Sequence, residues 1–224
     1  MEQTLRQMRH ALIQTVHAIS NVAGRRDRYT GLHQQHTATL ALAIGRELGL
    51  STHQLEGLYL GALVHDVGKV AVPSELLSKP GRLVPEELAL VRTHVQAGCD
   101  MFENVDLPWP VRAIIAQHHE RLDGSGYPQR LTASSIVLEA RIVAVADVFE
   151  AMSCDRPYRT APGRDAALQE LVGGAGTTFD PDVVNALQGV LRATRATGVQ
   201  FWGGLDADET FTSTVVLPPM RPWP

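Results

Sequence analysis

Apolar residues recur at intervals of three and four along most of the chain, with almost no sustained strand-type alternation, so the pattern predicts helix after helix. A first helix is expected over about Glu2 to Val22, with Leu5, Leu12, Val16 and Ile19 at helical spacing and the polar run Gly24 to Asp27 behind it. It reads as a packing or dimerising helix. A second, Thr30 to Leu48, carries His33, Thr37, Leu40, Ile44 and Leu48 in one stripe and stops at Gly49. Ser51 with Gln54 makes a capping-box start to a third, which runs through Leu55, Leu58, Ala62 and His65 and is ended by Gly68 and Pro73. A fourth begins near Pro85, acidic at Glu86 and Glu87, and places Leu90, Val91 and His94 on one face. A fifth spans Pro110 to His119, and a long one spans Ser135 to Met152 with Ile136, Ala140, Val143, Asp147 and Ala151 in line. The stretch ERLDGSGYPQR between them is dense in Gly, Pro and Asp and reads as an ordered loop. Helices near Ala166 to Val172 and Pro181 to Thr194 follow, the second with Asp180 as its cap and Pro181 in its first turn.

The expectation is therefore an all-α fold with one helical domain over residues 29–195. Residues 1–28 form a lead-in, and residues 196–224 form a C-terminal extension in which Phe211 to Leu217 read as a strand. A length of 224 residues with 44% hydrophobic and 20% charged positions is enough to build one sizeable core and excludes wholesale disorder. The net charge of -4 gives no global field for DNA or anionic lipid, so any phosphate chemistry has to rest on local cations or metals. Two cysteines, Cys99 and Cys154, read as reduced. No apolar run approaches the roughly 20 residues that cross a bilayer. A cytoplasmic protein without a membrane partner is expected.

The nine histidines change the picture, because they are not scattered. His33, His65, Asp66, His94, His118, His119 and Asp147 come from five of the predicted helices, and most lie in the apolar stripe of their helix. An unpaired polar group buried there costs about 2–7 kcal/mol. Taken singly, a histidine on an apolar face is usually a hydrogen-bonded core residue. Five helices each burying one, with His65-Asp66 and His118-His119 as adjacent pairs, instead point to divalent metal, for which imidazole and carboxylate are ligands. Neighbours on a helix diverge by about 100°, so two ions use such pairs better than one. Asp66 can bridge them through its two oxygens at an ion separation of about 3.5–4 Å, which suits in-line hydrolysis of a phosphate ester. Lys69, three residues after Asp66, places an ammonium beside the metals, and Arg156 and Arg159 can clamp phosphate oxygens.

HDVGK at His65 to Lys69, HHERLDGSGYP at His118 to Pro128 and DVFEAMSCDRPYR at Asp147 to Arg159 resemble the HD-GYP domain, a subgroup of the HD phosphohydrolases. The resemblance covers roughly residues 10 to 192 and implies a single HD-type helical bundle. It also implies a cyclic di-GMP phosphodiesterase that opens the ring to linear pGpG, in some members continuing to GMP, through a hydroxide bridging two metal ions. By matching motif, His33, His65, Asp66 and Asp147 are similar to the general HD set, and His94, His118 and His119 to the further ligands of a second metal. Lys69 resembles the lysine near the attacking hydroxide, and Arg156 and Arg159 resemble nucleotide or phosphate contacts. Gly126, Tyr127 and Pro128 form the GYP loop, associated with substrate and with signalling partners. Iron or manganese is the implied metal, while nitrogen and oxygen ligation would also accept Zn, Ni or Co.

Three positions depart from the family pattern. Members with three metals carry a glutamate four residues before the first histidine, where this chain has Tyr29, so two metals are expected. The chain reads HQQH at His33 to His36 in place of a pattern like HSxR, which bears on the outer support of His33 rather than on its ligand role. His36, one turn on, is open to two readings, a spare ligand or a surface or supporting histidine, of which the second is preferred. Gly24 stands where a glutamate often precedes the Arg-Asp pair, and nothing is drawn from it. Two rival functions remain at this stage: hydrolysis of another nucleotide such as a mixed cyclic GMP-AMP, and a signalling module that binds without cleaving.

Overall fold

A computed structural model describes residue 7 and residues 11–20, 28–155 and 160–197. Helix α1 covers residues 11–20. It is followed by α2 (Arg28–Glu47), α3 (Thr52–Val64), a 3-10 turn (Val67–Ala71), α4 (Ser74–Leu77), α5 (Pro85–Arg92), α6 (His94–Met101) and α7 (Val111–Gln117). A second 3-10 turn (Ala133–Ser135) leads into α8 (Leu138–Ser153), α9 (Arg164–Gly173) and α10 (Pro181–Thr197). Among the described residues there is no strand, only the isolated bridges Asp123 to Thr132 and Ala175 to Phe179. None of these helices is long and apolar enough to cross a membrane.

The pairs α2 with α3 and α2 with α8 form the centre, flanked by α7 on one side and by α9 and α10 on the other. Leu40 and Ile44 of α2, Leu58 and Leu63 of α3, Ile114 of α7 and Ile142 and Phe149 of α8 are fully buried there. Each such side chain contributes on the order of 1.5–3 kcal/mol by leaving water. Ile13 and Val16 of α1 join the same core, and Ser20 donates to Gln34 Oε1 at 2.6 Å. The described part of the first helix thus packs on the domain itself.

Local chemistry sets the boundaries. Ser51 and Gln54 make the reciprocal capping box that opens α3. Asp180 Oδ1 accepts from Asp182 N at 2.9 Å to cap α10, while its Oδ2 accepts from Arg141 Nη1 at 2.9 Å and ties α10 to α8.

Three elements differ from the sequence-based expectation. The third helix stops at Val64 rather than Gly68, and the chain turns into a 3-10 segment because Gly68 lies against the start of α6. A Cβ on Gly68 would fall 1.9 Å from His94 O and 2.4 Å from Gly98 N, so only a hydrogen fits. The fourth helix divides at Thr93 into α5 and α6. The periodicity carried no break there, because both segments share the helical spacing. The short α4 was not expected, since four residues give too little periodicity to read. The strand suggested at Phe211 to Leu217 lies outside the described residues.

Candidate metal centre

Three of the histidines share one local construction. His65 caps the end of α3, His118 caps the end of α7, and His94 follows the last turn of α5. Helix ends leave carbonyls without intrahelical partners. Each ring turns back to a carbonyl of the preceding turn: His65 Nδ1 to Ala62 O at 2.7 Å, His94 Nδ1 to Val91 O at 2.7 Å, and His118 Nδ1 to Ile115 O at 2.9 Å. A carbonyl only accepts, so the proton is on Nδ1 and the Nε2 lone pair is left for another use. All three Nε2 atoms point at Asp66.

The carboxylate of Asp66 divides the histidines into two groups. Its Oδ1 lies 3.3 Å from His94 Nε2 and 3.8 Å from His118 Nε2, whereas its Oδ2 lies 3.4 Å from His65 Nε2 and 3.8 Å from His33 Nε2. Two donors bound to one ion at about 2.0–2.2 Å each stand roughly 3–4 Å apart, so these spacings fit ligands more naturally than hydrogen bonds. Asp66, His94, His118 and His119 can hold one ion, and His33, His65 and Asp66 another, with Asp66 common to both. Asp147 adjoins the second group, its Oδ1 being 2.9 Å from His33 Nε2 and 3.9 Å from His65 Nε2.

The polar atoms themselves test the fit. His65 Nε2, His94 Nε2, His118 Nε2 and Asp66 Oδ1 are buried with no hydrogen-bond partner. A buried polar atom left unsatisfied costs about 1–3 kcal/mol. Four such atoms converging on one place are explained by divalent ions accepting their lone pairs.

His33 is braced differently. Its Nδ1 meets Glu150 Oε2 in a short contact, and Glu150 Oε1 lies 3.3 Å from His36 Nδ1. Glu150 follows Asp147 by one turn of α8, so one helix supplies both the group beside His33 Nε2 and the group behind its Nδ1.

Charge states suit metal loading. Burial, reinforced by His119 and His65, holds His118 well below the usual imidazole range, and burial likewise lowers His94 and takes His119 to about 3. These rings are neutral near pH 7. Burial would raise both Asp66 and Asp147, but it is outweighed at Asp66 by Lys69 and His65 and at Asp147 by the hydrogen bond and charge of His33. Both therefore stay ionised. His33 is the exception: burial alone would lower it, yet Glu150 and Asp147 raise it to about 9. An ion held by Nε2 would take the place of that proton.

Beside this cluster the chain from Glu120 to Arg130 folds back as a pinned loop. Glu120 is buried, and its carboxylate accepts from Gln129 N at 2.7 Å and Leu131 N at 2.9 Å. A Cβ on Gly126 would stand 2.5 Å from Glu120 Cα and His119 O, so the glycine lets the loop lie flat on the histidine pair. Tyr127, joined to Pro128 by a cis peptide, stacks on His119 with ring centroids 4.6 Å apart, and the Arg92 guanidinium covers its other face at 4.6 Å. A groove of about 450 Å³ runs along this loop, lined by Pro85, Ala89, Arg92, Tyr127 and Arg130 among others.

A family model for the HD domain matches residues 17–183 of the chain, which takes in every residue of the cluster. The chain belongs to the HD domain family. Among curated relatives, it is 39% identical to the cyclic di-GMP phosphodiesterase response regulator RpfG of Xanthomonas campestris, over 78% of this chain and 47% of that protein. It is 34% identical to 3'3'-cGAMP-specific phosphodiesterase 2 of Vibrio cholerae, over 80% of this chain and 35% of that protein. The chain thus spans less than half the length of either relative. Among solved structures it is similar to Bd1817, a HDG"Y"P protein from Bdellovibrio bacteriovorus, with a TM-score of 0.57 and 25% identity, covering 71% of this chain and 51% of that one.

Within this HD domain all seven sequence-predicted ligands come together, and Lys69 joins them, its Nζ lying 2.5 Å from Asp66 Oδ2. Arg156 and Arg159 lie outside the described residues. Two residues escaped the sequence reading. Glu150 had a legible signal, a carboxylate three positions after Asp147 on a largely apolar helix. Glu120 had none, because its task is to accept two loop amides that only the folded loop aligns.

Proposed function

We propose that this chain is a metal-dependent phosphodiesterase that hydrolyses cyclic di-GMP to linear pGpG. The observation that carries the reading is Asp66, one buried carboxylate whose two oxygens face two separate histidine groups. The names of its relatives support the substrate class. Two divalent transition ions held there, iron or manganese by resemblance with Zn, Ni or Co also suited to the donors, supply an acidified water and stabilise charge on phosphoryl oxygens. Asp66 is the shared ligand. His33, His65 and Asp147 serve one ion, and His94, His118 and His119 serve the other. Glu150 fixes the ring of His33 from behind.

Lys69 is about a quarter exposed while its partner Asp66 is buried, so its ammonium stands at the rim of the centre. There it opposes charge gathering on the equatorial oxygens of the attacked phosphate. Tyr127 stacks on His119, and its hydroxyl is kept protonated by burial and by the negative charge of Asp66 and Asp147. The groove along Tyr127 and Gly126, with the cations of Arg92 and Arg130, is suited to the second nucleotide of a cyclic substrate. Arg156 and Arg159 complete the phosphate contacts in this reading, and a signalling protein at the GYP loop remains part of it.

A second reading, hydrolysis of 3'3'-cGAMP, is favoured by the relatives named for that substrate. Turnover of cyclic di-GMP, 3'3'-cGAMP and cyclic di-AMP by protein loaded with Fe(II) or Mn(II) separates the two. The expected result is the highest kcat/KM on cyclic di-GMP, with pGpG as first product. Rapid cleavage of 3'3'-cGAMP and none of cyclic di-GMP transfers the assignment. Metal-loaded protein that cleaves none of the three is a binding module.

A further inference from the structure

Among the described residues, a further cluster of metal-type donors adjoins the centre described above and shares with it only Glu150, the support of His33. His36 on α2, Glu150 on α8 and Cys154 at the end of α8 each offer a ligand atom, and these atoms all lie within 4.8 Å of one another. We propose that His36, Glu150 and Cys154 form a separate metal site of the kind that takes Zn2+, bound through a thiolate, an imidazole and a carboxylate.

The placement follows from two packed helices. His36 follows His33 by one turn of α2, while Glu150 and Cys154 follow Asp147 by one and two turns of α8. The α2 and α8 surfaces therefore meet in two successive layers. The first holds His33 against Asp147, and the second holds His36 against Glu150 and Cys154. Glu150 joins the layers, its Oε2 against His33 Nδ1 and its Oε1 3.3 Å from His36 Nδ1. That separation is close to the edge of a tetrahedron whose centre lies about 2.0–2.1 Å from each donor. Glu150 is buried, and His36 and Cys154 are partly exposed. Backbone geometry already fixes the thiol end, since Cys154 N donates to Glu150 O at 3.1 Å.

The donor chemistry distinguishes this site from the neighbouring one. Nitrogen and oxygen alone line the histidine and aspartate centre, which leaves iron or manganese acceptable there. A thiolate favours a softer ion, and mixed sulfur, nitrogen and oxygen ligation with one open position is zinc chemistry. Binding forms a metal-sulfur bond and releases the thiol proton to solvent, so no oxidant or reductant is needed. The ion would share only Glu150 with the support of His33 and would stand apart from substrate.

Cobalt reports the thiolate directly. The full-length chain, stripped of metal and titrated with Co2+, is expected to bind three equivalents, one of which brings a thiolate-to-cobalt charge-transfer band in the near ultraviolet. In Cys154→Ser that band and one equivalent disappear, while two equivalents and the hydrolytic activity remain. In His36→Gln the Co2+ concentration needed to develop the band rises about 10-fold or more. A wild-type chain without the band at saturating Co2+, or a band that survives Cys154→Ser, overturns the proposal. Should Cys154→Ser fail to fold, alkylation of the native chain decides. Cys99 is buried in the core, so Co2+ or Zn2+ should protect the reactive thiol, Cys154, and labelling at an unchanged rate counts against the site.

Discussion

Asp66→Asn is expected to lower kcat on cyclic di-GMP by about 10³-fold or more, because ions that contribute several kcal/mol to the transition state lose their shared anionic ligand. Metal content should fall from two ions in the histidine and aspartate centre to at most one. Asn keeps the shape of Asp66 but offers one neutral oxygen in place of two charged ones, so it cannot serve both histidine groups. The melting temperature of the metal-free protein is the control, since Asp66 makes no cap to its own helical turn. A variant that retains both ions and wild-type turnover would remove Asp66 from the mechanism. Loss of fold without metal would instead make it a structural residue.

Gly68→Ala is the second large effect, and it acts through packing rather than ligation. The added methyl would sit 1.9 Å from His94 O and 2.4 Å from Gly98 N, and both neighbours are backbone, so no rotamer change relieves the clash. The 3-10 turn must move away from α6. Asp66 lies two residues before Gly68 and His94 begins α6, so the shift parts Asp66 Oδ1 from His94 Nε2, now 3.3 Å away. A stability loss of about 3 kcal/mol, the upper part of the range for overpacking, is expected by urea unfolding. Weaker loading of the ion held by His94, His118 and His119 should accompany it. Unchanged stability and metal content would show that the two backbones separate freely.

The parts of this protein that the sequence made legible are those where chemistry conflicts with pattern. A histidine in an apolar stripe is a local contradiction, and His33, His65, His94 and His118 each displayed one; all four are buried in the fold. Their convergence could be inferred because a common ion is the economical way to satisfy several buried ring nitrogens. The division of the cluster by the two oxygens of Asp66 could be suggested but not located, since it depends on α6 approaching the turn after α3. That approach rests on Gly68, which in the sequence looks like an ordinary helix stop. The division at Thr93 was hidden for a similar reason. Periodicity reports helical spacing, which continues across the break, but not burial: α5 buries none of its residues and leaves Leu90 exposed, while α6 buries His94 and Val95.

Outer support was the least legible layer. The HQQH run left open what braces His33, and the answer, Glu150, comes from a helix more than a hundred residues away in sequence. Glu120 shows the same limit, because its partners Gln129 N and Leu131 N are backbone groups with no sequence signature of their own. Residues that bind a ligand advertise themselves by being out of place. Residues that position others do not.

The account turns on whether seven side chains, on or directly after five helices, grip two ions through one shared aspartate. Anomalous diffraction from crystals of the manganese- or iron-loaded protein measures this directly. Two peaks about 3.5–4 Å apart are predicted, one touched by His33, His65 and Asp147, the other by His94, His118 and His119, with an oxygen of Asp66 on each. A single peak, or peaks that leave Asp66 or the His118-His119 pair without contact, would contradict it.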